Sequence, residues 1–470
     1  MQERIKSQKS EAGIQKNRLI DLYTPTKTIL KKFIHYRVFF LLLSFFCVFN
    51  TAKSSSKEAT KKQDKIISEF MDLKFGMFVH WGPVSLRGTE IGWSRGREVP
   101  VEEYDNLYKE FNPTKFNADE WIKTLKDAGM KYFVITTRHH DGFSIWPTEY
   151  SDYHIAATPY KKDVLMEMKK ACNKYGILFG TYYSICDWKH PDYPLGSPGG
   201  KTKKKTGDMD KFIPFIKGQT KELLEKYDTR ILWFDGEWEE PWTHEMGQDL
   251  YKYLKDIDET VLINNRVDKG RKGMEGITIS DEFAGDFATP EQRVGAFDIE
   301  NPWESCITIC RQWAWKPNDK MKSFDECMQT LLKTVGGGGN LLFNVGPMPD
   351  GRIEPRQVKR LKEMGDWLKL YGESVYETQG GPYKPTESLA STRKGKKIYL
   401  HLFNCRNKNI RIPAPGNAIV KKCKVMNGEK LIFNQSEDEL QIEIPTLKSI
   451  ITIEMELDKQ AESIQPIQVN

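Results

Sequence analysis

Between residues 75 and 376 the spacing of apolar positions switches repeatedly between strand-like and helix-like periods. The runs "FGMFVHWG" (75–82), "KYFVITTRHHDGF" (131–143), "ILFGTYYS" (177–184), "ILWFDG" (231–236) and "VLINNR" (261–266) read as strands ending in turns. Helical patterns lie between them. "NADEWIKTLKDAGM" (117–130) puts Trp121, Leu125 and Ala128 on one face behind Asn117 as N-cap. "DVLMEMKKACNKYG" (163–176) stacks Val164, Met168, Cys172 and Tyr175 and stops at Gly176. The series continues with helices over 216–227, 246–257 and 324–335, the strand "GNLLFNVGP" (339–347) and a long helix over 355–376. Repeated strand–helix units predict an α/β fold, a (β/α)8-like barrel of the TIM type. The stretch between Asn265 and Cys310 follows neither period, so an irregular barrel is expected.

From about Tyr376 short alternating runs such as "KIYLHLFN", "ELQIEI" and "SIITIEMEL" are split by Gly, Asn and Pro, the pattern of a β-sandwich. The expected organisation is a targeting segment over 1–52, a polar linker over 53–65, the barrel over 66–372, the sandwich over 373–458 and a polar tail over 459–470. No Gly-x-Gly-x-x-Gly or P-loop fingerprint is present, and "VGGGGN" (335–340) precedes a strand where a phosphate cradle precedes a helix.

Charge removes one class of partner. Residues 1–65 hold 14 Lys/Arg against 5 Asp/Glu; subtracting these from the chain totals of 71 and 65 leaves 57 against 60 over residues 66–470. The basic surplus thus belongs to the leader, and the body makes no electrostatic case for nucleic acid. Inside the leader, the twelve-residue apolar run Val38–Phe49 follows Lys31, Lys32 and Arg37. A membrane span needs ~20 residues, so this run reads as a secretory h-region, with a retained anchor as the alternative. Export to a periplasmic or extracellular space (a lysosomal-type compartment in a eukaryote) follows, with no stable membrane partner. The cysteines beyond Cys47 are odd in number and scattered, and read as buried free thiols.

Polar side chains collect at the ends of the predicted strands, where barrel enzymes carry their chemistry: His80, then His139 and His140, then Tyr182 and Tyr183, then Asp235, then Arg266. In "ILWFDGEWEEPW" (231–242) residues two apart share a face, so Ile231, Trp233 and Asp235 point one way and Leu232 and Phe234 the other. Asp235 is the last strand residue before Gly236, which makes it the candidate among four clustered acids. Glu237, Glu239 and Glu240 lie past the turn and take solvated or supporting roles. Glycoside cleavage needs a second carboxyl group. Glu304, flanked by Trp303 and followed by Trp313 and Trp315, is the candidate, because apolar surroundings keep a carboxyl protonated. Metal-binding spacings of histidine are missing, so no metal is expected.

At these residues the chain resembles the α-L-fucosidases, family 29 of the glycoside hydrolases, over roughly residues 66–457. "FGMFVHWG", "FNPTKFNADEW", "KYFVITTRHHDGFSIW", "LWFDG", "WESCITI" with "WAW", and "GGNLLFNVGPMPDGRI" carry the resemblance in order and spacing. It implies an irregular barrel with a C-terminal β-sandwich and retaining hydrolysis of terminal α-L-fucose from fucosylated oligosaccharides or glycoconjugates, without a cofactor. Asp235 corresponds to the nucleophile and Glu304 to the acid/base. His80, Trp93, His139, His140, Tyr182, Trp233 and Arg266 correspond to the fucose-binding set, with Trp313 and Trp315 added as aromatic neighbours. One departure stands out. The family's Ser-Glu-Trp-Tyr is here Ile91-Gly92-Trp93-Ser94, so Gly92 replaces a sugar-binding glutamate. Either Glu90 compensates or the pocket accepts a related sugar or linkage. The alternatives are therefore an exo-glycosidase for another sugar such as an α-L-galactoside, and a non-catalytic fucose-binding protein. The oligomeric state is not legible.

Overall fold

The computed structural model describes residues 61–198 and 201–469. The leader, with its apolar run Val38–Phe49, lies outside the described residues.

Seven parallel strands form the first sheet: β1 (Phe75–Val79), β2 (Tyr132–Arg138), β3 (Leu178–Ser184), β4 (Ile231–Asp235), β5 (Leu262–Ile263), β6 (Glu304–Thr308) and β7 (Asn340–Val345). Their order is β5-β4-β3-β2-β1-β7-β6, so β5 and β6 are its two edges. Residues 286–292 span the gap without forming a regular strand. Asp286 N–H donates to Ile263 O, Glu304 N–H to Ala288 O, Cys306 N–H to Pro290 O and Gln292 N–H to Cys306 O. These bonds satisfy both edges, and the curled sheet closes as an irregular TIM-like barrel.

Side-chain parity divides the apolar residues into two cores. Phe78, Tyr132, Val134, Tyr182, Ile231, Trp233, Leu262, Cys306 and Leu342 fill the interior, with Phe70 and Phe287 packed among them. Leu232, Phe234, Phe133, Ile135, Leu341 and Phe343 face outward into the larger core shared with the helices. Those helices are α1 (Ala118–Asp127), α2 (Val164–Tyr175), α3 (Met209–Glu225), α4 (His244–Ile257), α5 (Phe324–Gly336) and α6 (Pro355–Tyr371). The Asn117 side chain caps α1 by accepting from Glu120 N–H, and α2 ends at Gly176 in the left-handed region. Helix α3 begins seven residues before the pattern suggests. Asp208 caps it, and Pro214 is carried inside it. Strand β5 is two residues long, because Asn265–Val267 turn into a 3-10 helix that carries Arg266.

The C-terminal unit has a five-stranded antiparallel sheet and a three-stranded one. The first contains β8 (Gln379–Gly380), β9 (Leu389–Lys394), β10 (Lys397–Phe403), β12 (Val420–Val425) and β15 (Ile450–Leu457); the second contains β11 (Asn409–Pro413), β13 (Ile432–Gln435) and β14 (Glu439–Glu443). The tail is not a free polar segment. Ala461 and Ile464 are buried in the sandwich core, and Ile467 N–H donates to Pro382 O at 2.8 Å. The glycine run 336–339 lies at the seam between the two units. A Cβ on Gly336 would sit 3.0 Å from Ala390 Cβ and 3.0 Å from Ser391 O of β9; one on Gly339 would strike the Trp303 ring. Among the described residues every cysteine is free, all buried except Cys405, which is half-buried.

Candidate active site

At the carboxyl ends of the strands a narrow cavity opens, lined by Phe78, His80, Trp93, His139, His140, Tyr182, Trp233, Asp235, Trp238, Arg266, Glu291, Cys306 and Trp313.

Asp235 ends β4 with both carboxylate oxygens engaged. Oδ1 accepts from Arg266 Nη1 at 2.7 Å and Oδ2 from the Tyr182 hydroxyl at 2.9 Å, with His140 Nε2 3.7 Å from Oδ2. Burial pushes this carboxyl up, but the Arg266 and Arg271 guanidinium groups outweigh it and hold Asp235 below the ordinary carboxylate value. It is therefore ionised at neutrality. Arg266 is held in turn by Thr289, which accepts from Nε at 2.8 Å through its hydroxyl and from Nη2 at 3.2 Å through its carbonyl. The same Nη1 that meets Asp235 lies 3.0 Å from Glu291 Oε2.

The three histidines are neutral. Burial, first of all, lowers His80 to about 3 and His140 to about 4, and takes His139 well below its ordinary value. His80 Nδ1 donates to Asn344 Oδ1 at 2.6 Å, which leaves Nε2 as an acceptor. His140 Nδ1 lies 2.7 Å from Ser184 Oγ, and that hydroxyl donates to Cys186 O at 2.6 Å. Nδ1 is therefore the protonated nitrogen, and Nε2 is free to accept from a ligand hydroxyl. His139 Nδ1 is buried with no hydrogen-bond partner among the described residues, and its ring stacks on Tyr182 at 5.3 Å.

The structure does not bring every expected residue to the cavity. Glu304 is the first residue of β6, at the opposite end of the strands from the opening. Its Oε1 accepts from Trp233 Nε1 at 3.0 Å and its Oε2 from the Tyr132 hydroxyl at 2.5 Å, so its carboxyl lies beneath the indole that lines the cavity. On that placement Glu304, the expected proton donor, does not line the cavity. Its acidity does fit the expectation, since burial, only partly offset by Tyr132, Trp233 and Arg266, raises it to about 7. Trp315 also stands apart from the lining residues, its ring 3.8 Å from the Cβ position of Gly88. Trp313 does line the cavity and packs on His80 at 4.7 Å.

Glu90 does not substitute for the glutamate missing at residue 92. Its carboxylate accepts from the N–H groups of Trp313, Ala314 and Ile91 at 2.9, 3.0 and 3.2 Å, away from the cavity. Nor does Gly92 open extra room: at φ +66, its Cβ position is 2.7 Å from His139 Nδ1. Of the acids beyond Gly236, Glu237 and Glu239 are buried and only Glu240 is exposed. Glu237 accepts from Arg271 at 2.5 Å, and Glu239 from Trp188 at 3.1 Å and Tyr193 at 2.5 Å, so they clamp the loop that presents Trp238.

Sequence reasoning missed Glu291, Phe78, Cys306 and Trp238. Phe78, two residues before His80, and Cys306, two residues after Glu304 on β6, follow from parity. Glu291 has no periodic signal. The one clue is indirect: an α/β barrel short of a strand must close with the patternless segment, and a carboxylate there reaches the mouth.

The α-L-fucosidase family model matches residues 45–373. The human plasma α-L-fucosidase is 30% identical over 362 residues, 70% of this chain and 74% of that protein. Among solved structures, α-L-fucosidase isoenzyme 1 from Paenibacillus thiaminolyticus superposes with a TM-score of 0.76 at 31% identity, covering 85% of this chain and all 100% of that one. A Bacteroides thetaiotaomicron α-L-fucosidase of glycoside hydrolase family 29 gives a TM-score of 0.75 at 28% identity, covering 84% of this chain and 96% of that one. It was solved as a trapped covalent intermediate with 2-fluoro-fucosyl fluoride in a Glu-to-Gln variant. A matched family model over most of the barrel, the shared fold and a carboxylate-bearing cavity agree: the chain belongs to the α-L-fucosidases of glycoside hydrolase family 29.

Proposed function

We propose that this protein is a retaining exo-α-L-fucosidase that releases terminal α-L-fucose from fucosylated oligosaccharides or glycoconjugates, with Asp235 as nucleophile and Glu291 as acid/base. The observation that carries this reading is the shared Arg266 Nη1, 2.7 Å from Asp235 Oδ1 and 3.0 Å from Glu291 Oε2. Two oxygens held by one nitrogen can be no farther apart than those two distances together. For these two oxygens that limit accommodates the ~5–5.5 Å spacing of a retaining pair.

In the first step an Asp235 oxygen attacks the anomeric carbon while Glu291 gives its proton to the departing glycosidic oxygen. In the second, Glu291 takes a proton from water, the water oxygen bonds to the anomeric carbon, and Asp235 leaves as a carboxylate. Tyr182 and Arg266 hold the nucleophile in place and receive its charge when it is released. His80 and His140, neutral with one acceptor nitrogen each, suit sugar hydroxyls, and the Trp313 face suits a pyranose C–H face. Export to the periplasm or the extracellular space follows from the leader and accords with plasma relatives.

An aryl α-L-fucoside tests the assignment. Asp235→Ala should abolish turnover with the fold intact. Glu291→Gln should cost about 100-fold or more on a poor leaving group and recover on adding azide, which needs no base to activate it. The first-formed sugar, read by NMR, should be the α anomer. A β product, or full activity in Asp235→Ala, sinks the reading.

A further inference from the structure

We propose that Glu304 is a positioning residue for this reaction: by fixing the Trp233 indole from below, it fixes the mutual placement of Asp235 and Glu291. The role rests on the fucosidase reading for its assay.

Trp233 stands where the supports of the dyad converge. The Arg266 guanidinium lies over its ring, Cζ 4.5 Å from the centroid, and Arg266 is the residue that meets both Asp235 and Glu291. Its other stacking partner is Tyr182, with centroids 5.6 Å apart and ring planes 20° apart, and Tyr182 donates to Asp235 Oδ2. A swing of the indole therefore disturbs Asp235 through two partners and Glu291 through one. The torsion that permits such a swing is broad in tryptophan. What opposes it is the hydrogen bond from Nε1 to Glu304 Oε1 at 3.0 Å, and a buried indole N–H needs such an acceptor. Glu304 is anchored in turn by the Tyr132 hydroxyl at 2.5 Å. The groups facing it are Tyr132 on β2, Arg266 after β5 and Cys306 on β6. Burial raises this carboxyl to about 7, so below neutrality it is mostly uncharged and adds little negative charge beneath Asp235.

A double-mutant cycle with Trp233→Phe, which removes the indole N–H, tests this. Glu304→Met should lower kcat on an aryl α-L-fucoside about tenfold or more, with KM changed less than about threefold. In the Trp233→Phe background the same substitution should cost less than about twofold. Glu304→Gln keeps an acceptor for the indole and sets an amide N–H against the Tyr132 hydroxyl oxygen, and should stay within about threefold of the unsubstituted enzyme, without azide rescue. Should Glu304→Met fail to fold, Tyr132→Phe loosens the same carboxyl, and its loss of kcat should likewise vanish in the Trp233→Phe background. Costs that simply add across the cycle, or a lower Tm with kcat unchanged, overturn the proposal in favour of a purely structural role. A collapse of Glu304→Gln by about 1,000-fold with azide rescue overturns it differently, making Glu304 the acid/base in place of Glu291 while the fucosidase reading stands. Absence of turnover in the unsubstituted protein removes both.

Discussion

Burial sets opposite proton affinities on the histidines and on Glu304, and the two act against each other in folding. His80 and His140 are lowered to about 3 and about 4 by burial, from an unfolded value near ~6.5. Between those values the unfolded chain binds more protons than the folded one, so the stability these residues contribute is present above about pH 6.5 and is lost as pH falls. Glu304 runs the other way. Its folded value of about 7 lies above an unfolded ~4.3, so its contribution is full below about pH 4.3 and is lost as pH rises through 7. Urea unfolding between pH 4.5 and 7 should therefore respond with opposite signs. His140→Asn should flatten the rise of stability with pH, and Glu304→Gln should steepen it, each by at most ~1.4 kcal/mol per pH unit. Slopes that change in the same direction would contradict the assigned protonation states.

Closure of the barrel without an eighth strand has a cost in regularity and a gain in placement. Residues 286–292 hydrogen-bond to the turn after β5 and to β6, and this irregular stave aims Glu291 at Arg266. The amides of Asp286, Glu304, Cys306 and Gln292 should exchange slowly with deuterium, as barrel strands do. Those of exposed Asp281 and Glu282 in the preceding loop should exchange early. Uniformly fast exchange across 286–292 would mean that the closure is not part of the stable fold. The same element explains what could be read from the chain. Parity on β4 separates Asp235 and Trp233 from Leu232 and Phe234, because alternation is a local property of an extended strand. Capping at Asn117 and the stop at Gly176 are local too. Height along a barrel is not local. Distance in sequence from Trp313 cannot tell whether Glu304 starts its strand or ends it, and the register that does (Glu304 opposite Asn340) comes from pairing with β7. Glu291 is hidden for a related reason: its segment is held by bonds to two distant edges and needs no pattern of its own.

The change of texture near residue 373 separates two architectures, yet residues 66–470 form one compact unit. The seam shows why. Gly336 ends α5 with its Cβ position 3.0 Å from both Ala390 and Ser391, and Gly381 N–H donates to Gly336 O at 3.0 Å. Calorimetry of the whole protein should show a single cooperative transition. Gly336→Val, which overpacks the seam by ~1–3 kcal/mol, should lower that one transition by a few degrees without splitting it. Two resolved transitions would show that the sandwich melts alone. A consequence reaches beyond stability, to how such proteins can be recombined. The Trp303 ring packs on Gly339, and Glu304, the next residue, is the carboxyl under the indole, so the surface that receives the sandwich adjoins the base of the catalytic cavity. A chimera joined at residue 373 would graft a foreign face onto that base. The unit that relatives can exchange whole begins at Ile66, ahead of the barrel, and runs to the C-terminal residues that fold back on Pro382.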